Sequence, residues 1–234
     1  YFAANDGPDI LNLGSEFGPE YGDRLLPLNK YLKDWPELQQ YVPATLETVT
    51  WKDELRGLPW LTMPRLYMCR SDLLQESGYS ALPQTFDDAV KQAKAGTVVE
   101  AGALKRAGAF TNGAAGQELA DWQEFLQFIW ASGGELYKAD GTPNFDSPQA
   151  KTALQFMADR YKAVFTDPGI ASLGEAQGSR LGAGEVVCQW NNVWGAPALD
   201  DALWQKIVVG PSPAPQGGKP VVTVFTDWLG VPAY

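Results

Sequence analysis

Leu55–Lys94 reads LRGLPWLTMPRLYMCRSDLLQESGYSALPQTFDDAVKQAK, an extended apolar crossing, a turn and a capped helix in immediate succession. Its first half, LPWLTMPRLYMC, is rich in β-formers but carries Pro59 and Pro64. Proline lacks an N–H and suits the end, edge or hinge of a sheet, so these residues predict a strand that stops, bends and resumes. The second half places Pro83, Thr85 and Asp88 around the apolar positions Phe86, Ala89, Val90 and Ala93. The Thr hydroxyl and the Asp carboxylate can satisfy free amides of a first helical turn, which predicts a helix from about Phe86.

The 234 residues are 45% apolar and 12% aromatic, enough for one large domain or two modest ones. The formal charge is −10 with only 18 scattered basic residues, which argues against a nucleic-acid partner because phosphate binding needs clustered Lys and Arg. No apolar run reaches the roughly 18 residues of a membrane span. Histidine is absent, removing the commonest general base and metal ligand; no cofactor or metal motif replaces it. Cys69 and Cys188 lack CxxC spacing and sit in strand-like apolar surroundings. Their bonding is left open, with buried thiols favoured over a disulfide.

Outward from the opening stretch, Pro8–Leu13 reads as a short strand with an outgoing turn, Gly14–Gly18. Short helices are expected after Pro19, near Asn29 and after Pro43. Trp35 and Trp51 read as packing residues. Gly96–Ala109 is uninformative apart from a short strand at Val98–Val99. FTNGAAG (110–116) is a polar glycine loop before a strong helix, whose Leu119, Trp122, Leu126 and Ile129 recur at three and four and whose Phe125, Phe128 and Trp130 widen the stripe. Ser132-Gly133-Gly134 ends it. Ser147-Pro148 opens another helix. Gly182–Asn191 alternates as a half-buried strand, Ile207–Gly210 is a further strand, PSPAPQGGKP (211–220) is a loop, and Val221–Thr226 is the last strand, with a turn at Thr226–Trp228.

The order of GLPW, LYMCRSDLL, Gly78, PQTFDD, WASGGELY and DSPQAKTALQFMADRYK resembles the extracellular solute-binding proteins of ABC importers, family 1, in the maltose- and trehalose-binding branch. The resemblance covers most of the chain, rests on several short matches in order, and makes the chain look truncated at both ends. It implies an α/β, two-lobed periplasmic-binding-protein-like fold of type II. The expected first lobe is residues 1–61 and 226–234, the second 62–221, with hinge crossings at about 58–64 and 222–226. It further implies a monomer, periplasmic or extracellular, with a lipid anchor on a preceding segment left open. The expected partners are a sugar and the importer's membrane permease.

A sugar offers weakly apolar faces and polar edges, so its site needs aromatic planes and fixed hydrogen-bonding groups. Trp60, Trp194 and Trp228 lie at strand ends beside polar residues and are expected to face a cleft, although core packing would serve any of the nine tryptophans. Glu16 and Asp227 are candidate acceptors for sugar hydroxyls, or solvated loop charges. Arg65 can donate a forked pair to ligand or brace the hinge. Asn112, Glu118 and Asn191 enter through their positions in the resembling loops, and Gly133 and Gly134 because that corner's backbone lies near sugar in the family. A hydrolase using Glu16 with Asp227, or Glu118 with Glu185, is the alternative; about five strand candidates fit poorly with an eight-unit barrel. A non-sugar solute such as glycerol phosphate is a third reading. An interaction module would leave the aromatic and polar turns unexplained.

Overall fold

The computed structural model describes residues 6–110, 118–164, 177–191 and 200–233, with side chains at all of these except 118–121, 177–179 and 191. Nine strands occur among them: β1 Leu11–Gly14, β2 Thr50–Trp51, β3 Glu54–Leu55, β4 Gly57–Arg70, β5 Val98–Glu100, β6 Ala103–Ala109, β7 Val186–Asn191, β8 Ile207–Gly210 and β9 Thr223–Gly230. The helices are α1 Gly18–Tyr21, α2 Asn29–Leu32, α3 Pro43–Glu47, α4 Ser71–Glu76, α5 Phe86–Gly96, α6 Glu118–Ala131, α7 Pro148–Val164, α8 Gln177–Ala183 and α9 Asp201–Trp204. The chain divides into two compact units, residues 1–64 with 224–234, and residues 65–223.

In the first unit β1 pairs antiparallel with β9, Leu11 opposite Gly230 through Gly14 opposite Asp227, and β9 lies between β1 and β4 in strand order. Leu25, Val49, Leu55 and Trp228 form the core, with Leu11, Leu13 and Leu58 packed against it. Gly57 is there because Trp228 is: a Cβ on Gly57 would run into the indole ring and stand 2.7 Å from the Leu229 carbonyl. The Trp51 indole fills the equivalent space above Gly22 and donates to Asp23 at 3.1 Å.

In the second unit the C-terminal half of β4 is flanked on both sides, by β7 from Leu66 to Cys69 and by β8 from Tyr67 to Arg70. β6 runs parallel to β7 and β5 antiparallel to β6. The strand does not stop between its prolines: β4 is continuous for 14 residues. Pro59 and Pro64 both precede the Leu66–Arg70 ladder, where a missing N–H would have been felt. β7 is also more buried than an alternating strand. Val186 through Trp190 are all buried, because β7 lies between β4 and β6 with both faces covered.

Cys69 and Cys188 stand directly opposite each other in the β4–β7 ladder, 4.1 Å apart at Cα, and form a disulfide. Free thiols are thereby corrected. The pairing follows from strand register, since facing residues at non-hydrogen-bonded positions approach about 4.5 Å at Cα.

α5 begins at Phe86, capped by Thr85, whose Oγ1 accepts from the Asp88 N–H at 3.1 Å. It rests on β6 only because residue 108 is glycine; any side chain there would strike the Ala93 carbonyl. Phe86, Phe128 and Phe156 meet between α5, α6 and α7, the first and last stacked at 3.9 Å between centroids. Beside them Arg160 pairs with Glu124 at 2.6 Å, their side chains 0% and 2% exposed. The guanidinium lies over the Phe128 and Phe156 rings, so the charge sits among groups that partly replace lost water.

Candidate ligand-binding site

The β1–β9 ribbon of the first unit sorts its residues by parity. Successive strand side chains point to opposite faces, and β9 obeys this: Thr226, Trp228 and Gly230 are buried, whereas Asp227 and Leu229 are partly exposed. Leu13 opposes Trp228 on the core face, and Gly14 opposes Asp227 on the other. Asp227 and Trp228 therefore cannot serve one cleft together. Asp227–Trp228 is mid-strand, not a turn, because β9 runs on to Gly230. Trp228 is 1% exposed and its Nε1 donates to the Gly14 carbonyl at 3.0 Å. Its expected cleft-facing role is corrected: it is the first unit's central core residue.

Glu16 comes to the same face as Asp227 by an indirect route. A Cβ built on Gly14 would lie 2.6 to 2.9 Å from the Glu16 carboxylate, so that carboxylate occupies the space where a residue-14 side chain would point. Facing residues of an antiparallel pair project to the same side, roughly 5 Å apart at Cβ. Glu16 and Asp227 are thus neighbouring, partly exposed carboxylates on the outward face of the ribbon. The Ser15 Oγ accepts from the Thr226 N–H at 3.3 Å and fixes the loop that carries Glu16. Two carboxylates on one face offer four or more lone-pair positions, able to accept from adjacent hydroxyls. Trp60 is 62% exposed, an indole in the first-unit part of β4.

Of the remaining expected residues, those described belong to the second unit. Arg65 donates to the Gln123 side-chain carbonyl, and its guanidinium lies 5.5 Å from the centroid of the Trp190 ring. It braces α6 and β7 within that unit. Gly133 and Gly134 end α6 in a Schellman motif: the Gly134 N–H bonds the Ile129 carbonyl and the Gly133 N–H the Trp130 carbonyl, both at 2.9 Å. Gly133 has φ +73° and is exposed. Gly134 is buried, and a Cβ on it would sit 2.6 Å from that of Gln149. It packs α6 against α7. Glu118 opens α6 and Asn191 closes β7 opposite Leu66, while Asn112 and Trp194 lie outside the described residues.

Apolar periodicity missed the buried polar residues of α6, Gln123, Glu124 and Gln127, which are 5%, 2% and 0% exposed. Their spacing, QExxQ inside an otherwise apolar helix, is the signal that the sequence carries. A groove of about 620 Å³ between α5 and α7, lined by Thr85, Val90, Thr152, Gln155 and Asp159 among others, contains none of the expected site residues. Among the described residues no three His, Cys, Asp or Glu side chains are placed to hold a metal ion, and no helix is long and apolar enough to cross a membrane.

This architecture, mixed α/β units joined twice by the chain, is that of the type II periplasmic binding proteins. T. maritima MalE3 with maltose bound matches 99% of this chain and 59% of its own, at 30% identity and a TM-score of 0.79. A solute-binding protein from Thermotoga lettingae bound with α-D-tagatose matches 99% of this chain and 60% of its own, at 24% identity and a TM-score of 0.83. The model of the bacterial extracellular solute-binding protein family matches residues 1–234, and the chain belongs to that family. A probable ABC transporter-binding protein of Deinococcus radiodurans is 25% identical over 220 residues, 91% of this chain and 51% of that protein. The chain spans about half the length of that curated relative.

Proposed function

We propose that this chain is part of the substrate-binding component of an ABC importer, that its ligand is a carbohydrate, and that Glu16 and Asp227 accept hydrogen bonds from adjacent sugar hydroxyls. The observation that carries the reading is the pair of carboxylates brought to one outward face by the Gly14–Asp227 register. Trp60 supplies an exposed ring for a sugar face. Asn112, Glu118, Asn191 and Trp194 stay in the proposal through the resemblance of their loops. Membership of the solute-binding family and the maltose carried by T. maritima MalE3 support the ligand class.

In this reading the two units act as lobes, and ligand stabilises a closed state by its differential affinity for it, with the permease as the receiving partner. The disulfide supports a periplasmic or extracellular setting, where such bonds persist. The test is intrinsic tryptophan fluorescence of the full-length protein, titrated with maltose, tagatose, ribitol, mannitol and mannotriose, with glycerol 3-phosphate as the charged control. A saturable shift with one sugar, unchanged on prolonged incubation, supports the proposal. A response to glycerol 3-phosphate alone would overturn the ligand class, and release of reducing ends would replace capture by hydrolysis.

A further inference from the structure

The chain passes between its two units twice, at Pro64–Arg65 and at Thr223–Val224, and on the second-unit side both passages end on one helix. Gln123 and Gln127 stand one turn apart on α6, so they share a face. Gln123 accepts from Arg65, the first residue of the second unit on the outgoing passage. Gln127 accepts through Oε1 from the Thr223 hydroxyl and from the Thr223 N–H at 3.4 Å, at the last residue before the return. Its Nε2 donates to the Ser212 hydroxyl and to the Val221 carbonyl at 3.4 Å. All four hydrogen-bonding positions of a fully buried amide are spent on the segment that leads back.

A glutamine buried to 0% with both ends saturated is hard to displace, because every arm lost leaves a polar group stranded in a dry interior. The simpler role, filling space in α6, would be served by leucine at less cost. We infer that Gln123 and Gln127 are positioning residues that clamp both crossings to α6. Turning of one unit against the other is then confined to the residues on the first-unit side, up to Pro64 and from Val224. The clamp also makes the two crossings one mechanical element, since α6 cannot shift without moving both. This inference rests on the proposed reading of the units as lobes that move.

Two measurements test it, neither needing ligand, so a failed clamp is distinguishable from a failed sugar assignment. The first is amide hydrogen exchange of peptides covering 62–67 and 220–226. Gln127→Leu is expected to raise exchange at 220–226 by about tenfold or more, and Gln123→Leu to do so at 62–67. Ser212→Ala, which removes one arm of Gln127 but leaves Thr223 held, is expected to leave 220–226 unchanged. If Gln127→Leu does not fold, Gln127→Asn, too short to reach Thr223, carries the same expectation. The second is the distance distribution between spin labels at Val42→Cys and Leu154→Cys, both exposed and in different units. A broadened distribution in the Gln123→Leu/Gln127→Leu protein is expected. An unbroadened distribution, or equal exchange in Ser212→Ala and Gln127→Leu, would overturn the clamp.

Discussion

The two units hold together by different means. The first relies on one large side chain, Trp228, ringed by leucines, and its strands are short apart from β4 and β9. The second carries a disulfide between adjacent strands, a three-phenylalanine contact across three helices and a buried ion pair. The unit with the simpler core carries the two candidate carboxylates, Glu16 and Asp227, and the exposed Trp60, whereas Glu118 and Asn191 of the proposed site belong to the second. A face presented by a two-stranded ribbon needs little core of its own, whereas the proposed clamp of both crossings draws on the denser interior of the second unit.

That contrast can be broken by substitution. Trp228→Ala should be the most costly change, by about 3–5 kcal/mol, because it empties the centre of the first unit. Urea unfolding followed by signals from each unit should show the loss in the first; an equal loss in both would mean that the two are a single cooperative block. Removing the disulfide as Cys69→Ala/Cys188→Ala should cost about 2–5 kcal/mol, on the chain-entropy account of a long closed loop, and should appear in the second unit. Asp227→Asn should weaken sugar binding by roughly 10- to 100-fold, the range of a charge-assisted hydrogen bond, and change stability by under about 0.5 kcal/mol, as expected of a surface position.

The smallest effect is pH-dependent and again lies in the second unit. Asp72 is held at about 2, first by its hydrogen bond from Arg70 and further by the Lys206 ammonium, against burial that acts the other way. A depressed carboxylate pKa contributes stability above its unfolded value near 4 and loses it as pH falls through about 2. The carboxylate is partly exposed, so the contribution is on the order of 1 kcal/mol. Acid unfolding of Asp72→Asn compared with wild type should converge below pH 2 and separate above pH 4. Parallel curves would remove the assignment.

What the sequence disclosed was what is local. Thr85 and Asp88 mark the start of α5 because a cap is decided within four residues. The end of α6 at Ser132-Gly133-Gly134 and the start of α7 at Pro148 were legible for the same reason. What escaped depends on register between segments far apart. Cys69 and Cys188 are 119 residues apart, and nothing in either segment says that they face one another. The candidate site was half visible. Glu16 and Asp227 were chosen for their chemistry, but only the pairing of Gly14 with Asp227 puts them side by side. Trp228 and Asp227 are adjacent in a strand, whose alternation sends them to opposite faces, and the apolar stripe of α6 carries no mark of the buried Gln123 and Gln127.

The most direct test of the account is calorimetric titration of the full-length protein and its Glu16→Gln/Asp227→Asn variant with the sugar that gives the strongest fluorescence response, beside their melting curves. The account predicts an unchanged melting temperature with affinity lost by about 100-fold or more, two charge-assisted hydrogen bonds being removed. Unchanged affinity in a folded variant would contradict it and place the ligand elsewhere on the protein.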